Sequence, residues 1–148
     1  MNGTTKRPFH GIKEHTIMSI TLNDQDQLTL RTAAWGAISL MSAAGAAGSA
    51  HKVATHGSIA LTSATGAIGH VLAKAPKGIK YGKTVAELAD QVLPALTASM
   101  ALLKQQDRAE ADNFRSTVIV AIDAAAHTQP SPTVTDMARK ITEALNAA

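Results

Sequence analysis

The sequence contains no cysteine. That absence excludes disulfide scaffolds, thiol nucleophiles and cysteine-ligated zinc or iron–sulfur sites, and it suits a reducing, cytoplasmic compartment. Aromatic residues make up only 3% of the 148 positions, so a core must be built from many aliphatic contacts. Charged residues stand at 17%, well below the usual quarter, which excludes a polyampholyte disordered chain. Long hydrophobic runs of membrane character are missing too. Residues 32–51 and 53–73 are uncharged, but they are rich in Gly, Ser, Thr and His and poor in Leu, Ile, Val and Phe. A bilayer span wants about 20 predominantly apolar residues, so these stretches read as a buried central hairpin and membrane insertion is not expected.

What the chain does have is alanine, 29 residues of it. Alanine loses no side-chain entropy in a helix, and small side chains let helix backbones approach closely. The composition therefore predicts an all-α protein. Its length fits one domain. Residues 1–18 hold Lys6, Arg7, Lys13, Pro8 and scattered polar residues without helical periodicity, and predict a flexible N-terminal extension with Met18 as a second candidate start. Residues 19–148 then form a single helical domain.

Apolar spacing predicts a compact bundle of about five helices, near residues 24–46, 50–74, 84–104, 109–127 and 134–146. Asn23 or Asp24 is placed to cap the first, and Gly45 and Gly48 to stop it. In the second, Val53, Gly57, Ala60, Leu61, Ala64, Ile68, Val71 and Leu72 mark one continuous face. Its glycines, Gly57, Gly66 and Gly69, each weaken a helix by up to about 1 kcal/mol relative to alanine, which points to close helix–helix contact there. Thr84 and Glu87 form a capping-box pattern for the third. Phe114, Val118, Ala121, Ile122 and Ala125 form the stripe of the fourth. Pro130 and Pro132 break the chain before Thr133 or Thr135 caps the last helix.

No spacing carries recognisable catalysis. There is no G-x-S-x-G elbow and no phosphate loop ending in Gly-Lys-Ser/Thr. Gly66-Ala67-Ile68-Gly69 lies inside a helical pattern with no preceding strand, so it lacks the setting of a dinucleotide loop. His56 and His70 would lie roughly 21 Å apart along one helix, too far to share an ion. No cofactor or metal is expected, and the reading leans away from an enzyme. The best local signal is basic: Lys74, Lys77, Lys80 and Lys83 recur around Tyr81 and lead into Thr84 at a helix N-terminus. Lysines neutralise phosphates and a tyrosine stacks on a base, so these residues are candidates for contact with nucleic acid or acidic lipid.

Phe114-Arg115, Val118, Ala121 and Ala124-Ala125-Ala126 precede a Pro-Ser-Pro-Thr turn at residues 130–133. Met137, Lys140-Ile141 and Ala144-Leu145 then follow. Over residues 114–145, about a fifth of the chain, this order resembles the final helix pair of TerB-like tellurite-resistance proteins and of small actinobacterial helical proteins. The resemblance implies a bacterial all-helical protein. TerB-like proteins carry an Asp-Gly turn followed by Glu that offers carboxylates to a metal. Here the turn reads His127-Thr128-Gln129-Pro130, with Asp136 the only nearby acid, so no metal is implied.

The net charge of +3 is unevenly spread: +2 over residues 1–18, −2 over 19–26, +6 without an acid over 27–86, and −3 over 87–148. Such asymmetry serves helix pairing, contact between chains or an anionic partner. The functional expectation is a non-catalytic interaction module that self-associates through small-residue helix faces. The alternative is an anion-dependent binder acting through the loop at residues 74–83.

Overall fold

A computed structural model describes residues 20–45, 50–76, 84–128 and 130–148. The expected extension, residues 1–18, lies outside the described residues, as does Gly48. Among the described residues there are six α-helices and no strand: α1 (Asp24–Ala44), α2 (Ala50–Thr62), α3 (Gly66–Leu72), α4 (Val85–Gln106), α5 (Arg108–Thr128) and α6 (Pro132–Asn146).

Local chemistry explains most of the ends. Asn23 Oδ1 accepts the Asp26 amide at 2.8 Å while Asp26 Oδ2 accepts the Asn23 amide at 3.2 Å, a reciprocal cap on α1. Gly45 closes that helix, its amide bonded to the Met41 carbonyl. Thr84 Oγ1 accepts the Glu87 amide at 3.1 Å and starts α4. Asp107 alone separates α4 from α5: its amide reaches the Leu103 carbonyl, and its carboxylate accepts the Ala109 amide at 2.9 Å. The final helix begins earlier than expected. Ser131 is its cap, accepting the Val134 amide at 3.1 Å, and Pro132 occupies the first turn, where a missing N–H is harmless.

The expected single helix over residues 50–74 is two helices, which makes six rather than five. Around Ser63 and Ala64 the amides bond to carbonyls three and four residues back, and Gly66 takes φ +76°, a left-handed conformation natural only to glycine. Gly69 belongs to the same turn, since a Cβ there would strike the Ala64 carbonyl. Of the three glycines expected at a helix–helix contact, Gly57 alone serves one: its Cβ would come within 2.6 Å of Ile38 Cδ1 on α1.

A helix as short as the seven-residue α3 is not stable by itself. Tertiary bonds hold both its ends. Glu110 Oε1 accepts the Ile68 amide at 3.4 Å and Asn113 Nδ2 donates to the Thr65 carbonyl at 3.0 Å, both from α5. From α1, Arg31 Nε donates to the Val71 carbonyl at 2.9 Å and Trp35 Nε1 to the Leu72 carbonyl at 3.2 Å. A carboxylate thus meets the N-terminal end and a guanidinium the C-terminal end, the favourable sense for both.

Helix α1 touches all five other helices. Leu30, Ala33, Ala34, Gly36, Ala37, Ile38, Leu40 and Met41 are buried, which covers more than half its circumference. It runs antiparallel to α4, with Gly36 against Val92 and Thr21 against Gln106. A Cβ at position 36 would collide with the Val92 side chain. Valine is held to one rotamer in a helix, so it cannot swing aside. Leu96, Met100 and Leu103 of α4, Phe114, Val118 and Ile122 of α5 and Ile141 of α6 are buried in the same core.

Two stability measurements follow. Gly36→Ala should destabilise by about 1–3 kcal/mol despite its better helix propensity, and Val92→Ala in the same chain should recover part of the loss. Ser99 is fully buried with no partner for its Oγ, so Ser99→Ala should raise stability by about 1 kcal/mol. Both are read from denaturant midpoints at constant slope.

Candidate functional site

Helices α2 and α5 pack antiparallel along their length. At one end Thr128 Oγ1 lies 2.7 Å from His56 Nδ1, and at the other Asn113 bonds to the Thr65 carbonyl. Each helix turns its regular stripe inward, Val53, Gly57 and Leu61 from α2 and Phe114, Val118, Ala121, Ile122 and Ala125 from α5. Two large apolar residues fall out of phase with those stripes. Ile59 and Val120 are each 58% exposed.

Between the helices runs an open groove of about 220 Å³ lined by Ala60, Ser63, Ala64, Ser116, Thr117 and Val120. A second shallow depression, of about 340 Å³, lies over Ala54, Thr55, Ser58, Ile59 and Thr62 on the outer face of α2. The hydroxyls here are less available than the sequence implies. Ser63 Oγ donates to the Ile59 carbonyl at 2.8 Å, Thr62 Oγ1 to Ser58 at 3.0 Å and Thr117 Oγ1 to Asn113 at 2.7 Å. These back-bonds direct the donors of Ser63, Thr62 and Thr117 to the chain's own carbonyls. No Asp, Glu, Lys or Arg lines either depression.

The small residues of α1 are used differently. Ala33, Ala34, Gly36 and Ala37 are buried inside the bundle, so they are not open to a partner, whereas α2, the turn after it and α5 keep Ala60, Ala64 and Ser116 at the groove. Of the anion-binding candidates, Lys74 is exposed just past the end of α3, and Thr84 is exposed as the cap of α4. Lys77, Lys80, Tyr81 and Lys83 lie outside the described residues. The amide of Glu87 at that helix start is already bonded to Thr84.

Charged groups elsewhere belong to solvated surfaces. On α6, Asp136 meets Arg139 and Lys140, and Arg139 also meets Glu143, all at helical spacing and about half exposed or more. Hydrogen bonds from Arg139 and then Lys140 hold the Asp136 carboxyl below its ordinary value, and the Asp136 and Glu143 carboxylates raise Arg139. Among the described residues, no group of three His, Asp or Glu converges as a metal site requires, and no helix is long and apolar enough to cross a membrane.

The groove was not visible in the sequence because its walls come from segments more than fifty residues apart. The available signal was narrower: Ile59 and Val120 are strong apolar residues off the buried stripe. No family model, curated protein or solved structure matches this chain.

Proposed function

We propose that this chain is a helical interaction module of the bacterial cytoplasm, rather than an enzyme, and that it pairs with a second copy of itself across the outer face of α2 and α5. The observation that carries this reading is the exposure of Val120 beside Ala60, Ala64 and Thr117 in the groove, and of Ile59 in the second depression on α2. Small floor residues let a partner helix approach closely, and the two projecting side chains are of a size to enter such a floor. A two-fold axis through the groove makes that fit reciprocal, with each copy supplying both the projection and the hollow. No charged side chain lines either depression.

Magnitude limits the pairing. Stable interfaces bury about 800 Å² per partner, much more than these two depressions offer, so association is weak and rises with concentration. Sedimentation of the full chain between about 10 µM and 1 mM should show a mass that climbs toward the dimer. Val120→Asp should weaken this at least about tenfold by burying a charge against its symmetry mate, with the folded helical signal unchanged. A strictly monomeric mass across that range would overturn the reading.

A further inference from the structure

We infer that the second copy docks in one orientation: α2 of each copy lies on α5 of the other, with Lys52 of each beside Asp123 of the other. The inference rests on the groove being the face that pairs. The groove sets the register of its own walls. Ala60 and Val120 line it together, as do Ala64 and Ser116, and Asn113 bonds to the Thr65 carbonyl just beyond. His56 reaches Thr128 at the far end, so the two helices run level in opposite senses. In this register Asp123 stands level with the residues next to His56, and Lys52 with the end of α5.

A two-fold axis lying in this face has two settings. Set along the helices, it keeps each residue at its own level and lays α2 on α5. Set across them, it reverses the levels about the centre of the groove and lays α5 on α5.

Charge separates the two settings. Lys52, Ile59 and Ser63 fall on one line of α2 and the turn after it, and all three are exposed. Asp112, Ser116 and Asp123 fall on one line of α5 and are exposed too. Ser63 and Ser116 line the groove, so the charges in line with them border the same face. With the axis across the helices, Asp123 at about 7.5 Å from the groove's centre meets Asp112, which lies at about 9 Å on the other side. Two carboxylates then face each other twice. Arg115 gives no relief, being turned to α6 with its Nε donating to Asn146 Oδ1 at 2.9 Å.

With the axis along the helices, Asp123 instead meets the first half of the other copy's α2, which carries Lys52 and His56 and no acid. His56 stands within about 2 Å of its level, and Lys52 about 7.5 Å further on, a gap that suits a long and flexible side chain. Within one chain these two charges are unused. Lys52 and Asp123 have no side-chain partner among the described residues, whereas Asp136, Arg139 and Lys140 pair with one another. Lys52 also occupies the first turn of α2, where the helix dipole favours an acid, so its own helix does not account for it.

Reciprocity supplies the test. Lys52→Glu sets an acid against Asp123 at both symmetry-related places, and Asp123→Lys sets a cation against Lys52 at both. Each variant of the full chain should self-pair at least about tenfold more weakly than the parent in sedimentation. An equimolar mixture of the two has opposite charges at both places, so it should form a heterodimer with roughly the parent's affinity. The helical signal should hold in both variants, since an acid suits the first turn of α2 and a cation suits the C-terminal half of α5. Asp123→Lys pairing with itself as tightly as the parent, or more tightly, would overturn the orientation, because only the crossed setting tolerates that change. A mixture no heavier than the separate variants overturns it as well. In either case association of the parent leaves the pairing itself standing. A parent that stays monomeric up to about 1 mM removes the pairing and the orientation together.

Discussion

The fold depends on how closely α1 approaches its neighbours. Gly36 lets the α1 backbone sit against Val92, and Gly57 lets α2 sit against Ile38. With so few aromatic side chains, cohesion must come from many short aliphatic contacts, and these need backbones brought near one another. Alanine and glycine at the crossing points supply that proximity, and Leu30, Leu40, Met41, Leu96 and Met100 fill the space around them. A bulky residue at a crossing point would separate the helices and open gaps that the surrounding leucines cannot close.

This central position has consequences for α3. Arg31 and Trp35 use their donors on the C-terminal carbonyls of α3, so a helix too short to stand alone is held by a neighbour distant in sequence. At the other end of α3, α5 provides Glu110 and Asn113. The small residues of α1 are used internally, while the outer surface of α2 and α5 keeps Ile59 and Val120 exposed. Just before α1, Thr21 is pinned to the end of α4 by Gln106, which accepts its amide and donates to its carbonyl.

Much of this was legible in the sequence where the determinant is local. The all-α class follows from alanine content, and Asn23, Gly45 and Thr84 mark ends because their chemistry acts over three or four residues. The break between α2 and α3 was hidden because Ile68, Val71 and Leu72 resume the phase of Val53, Gly57 and Leu61 after the turn, so the face looks continuous. On α1 burial takes in Leu30, Ala33, Gly36 and Leu40 together with Ile38 and Met41, whereas Leu28 and Trp35 are only half-buried. A helix enclosed by five others has no single apolar stripe to detect. Pro132 read as a breaker because the motif Pro-Ser-Pro-Thr is ambiguous until Ser131 is seen to cap. The candidate surface was the least legible, since pairing between α2 and α5 is a tertiary fact.

If α1 is the element on which the others depend, its amides should exchange hydrogen only when the whole molecule unfolds, whereas α3 should open by itself. Native-state hydrogen exchange against denaturant measures this residue by residue. The expected result is that amides of Ala34, Gly36, Ala37 and Ile38 share the global unfolding free energy while those of Val71 and Leu72 exchange through a smaller, denaturant-insensitive opening. Exchange of the α1 amides through local openings as frequent as those of α3 would contradict the central place given to α1.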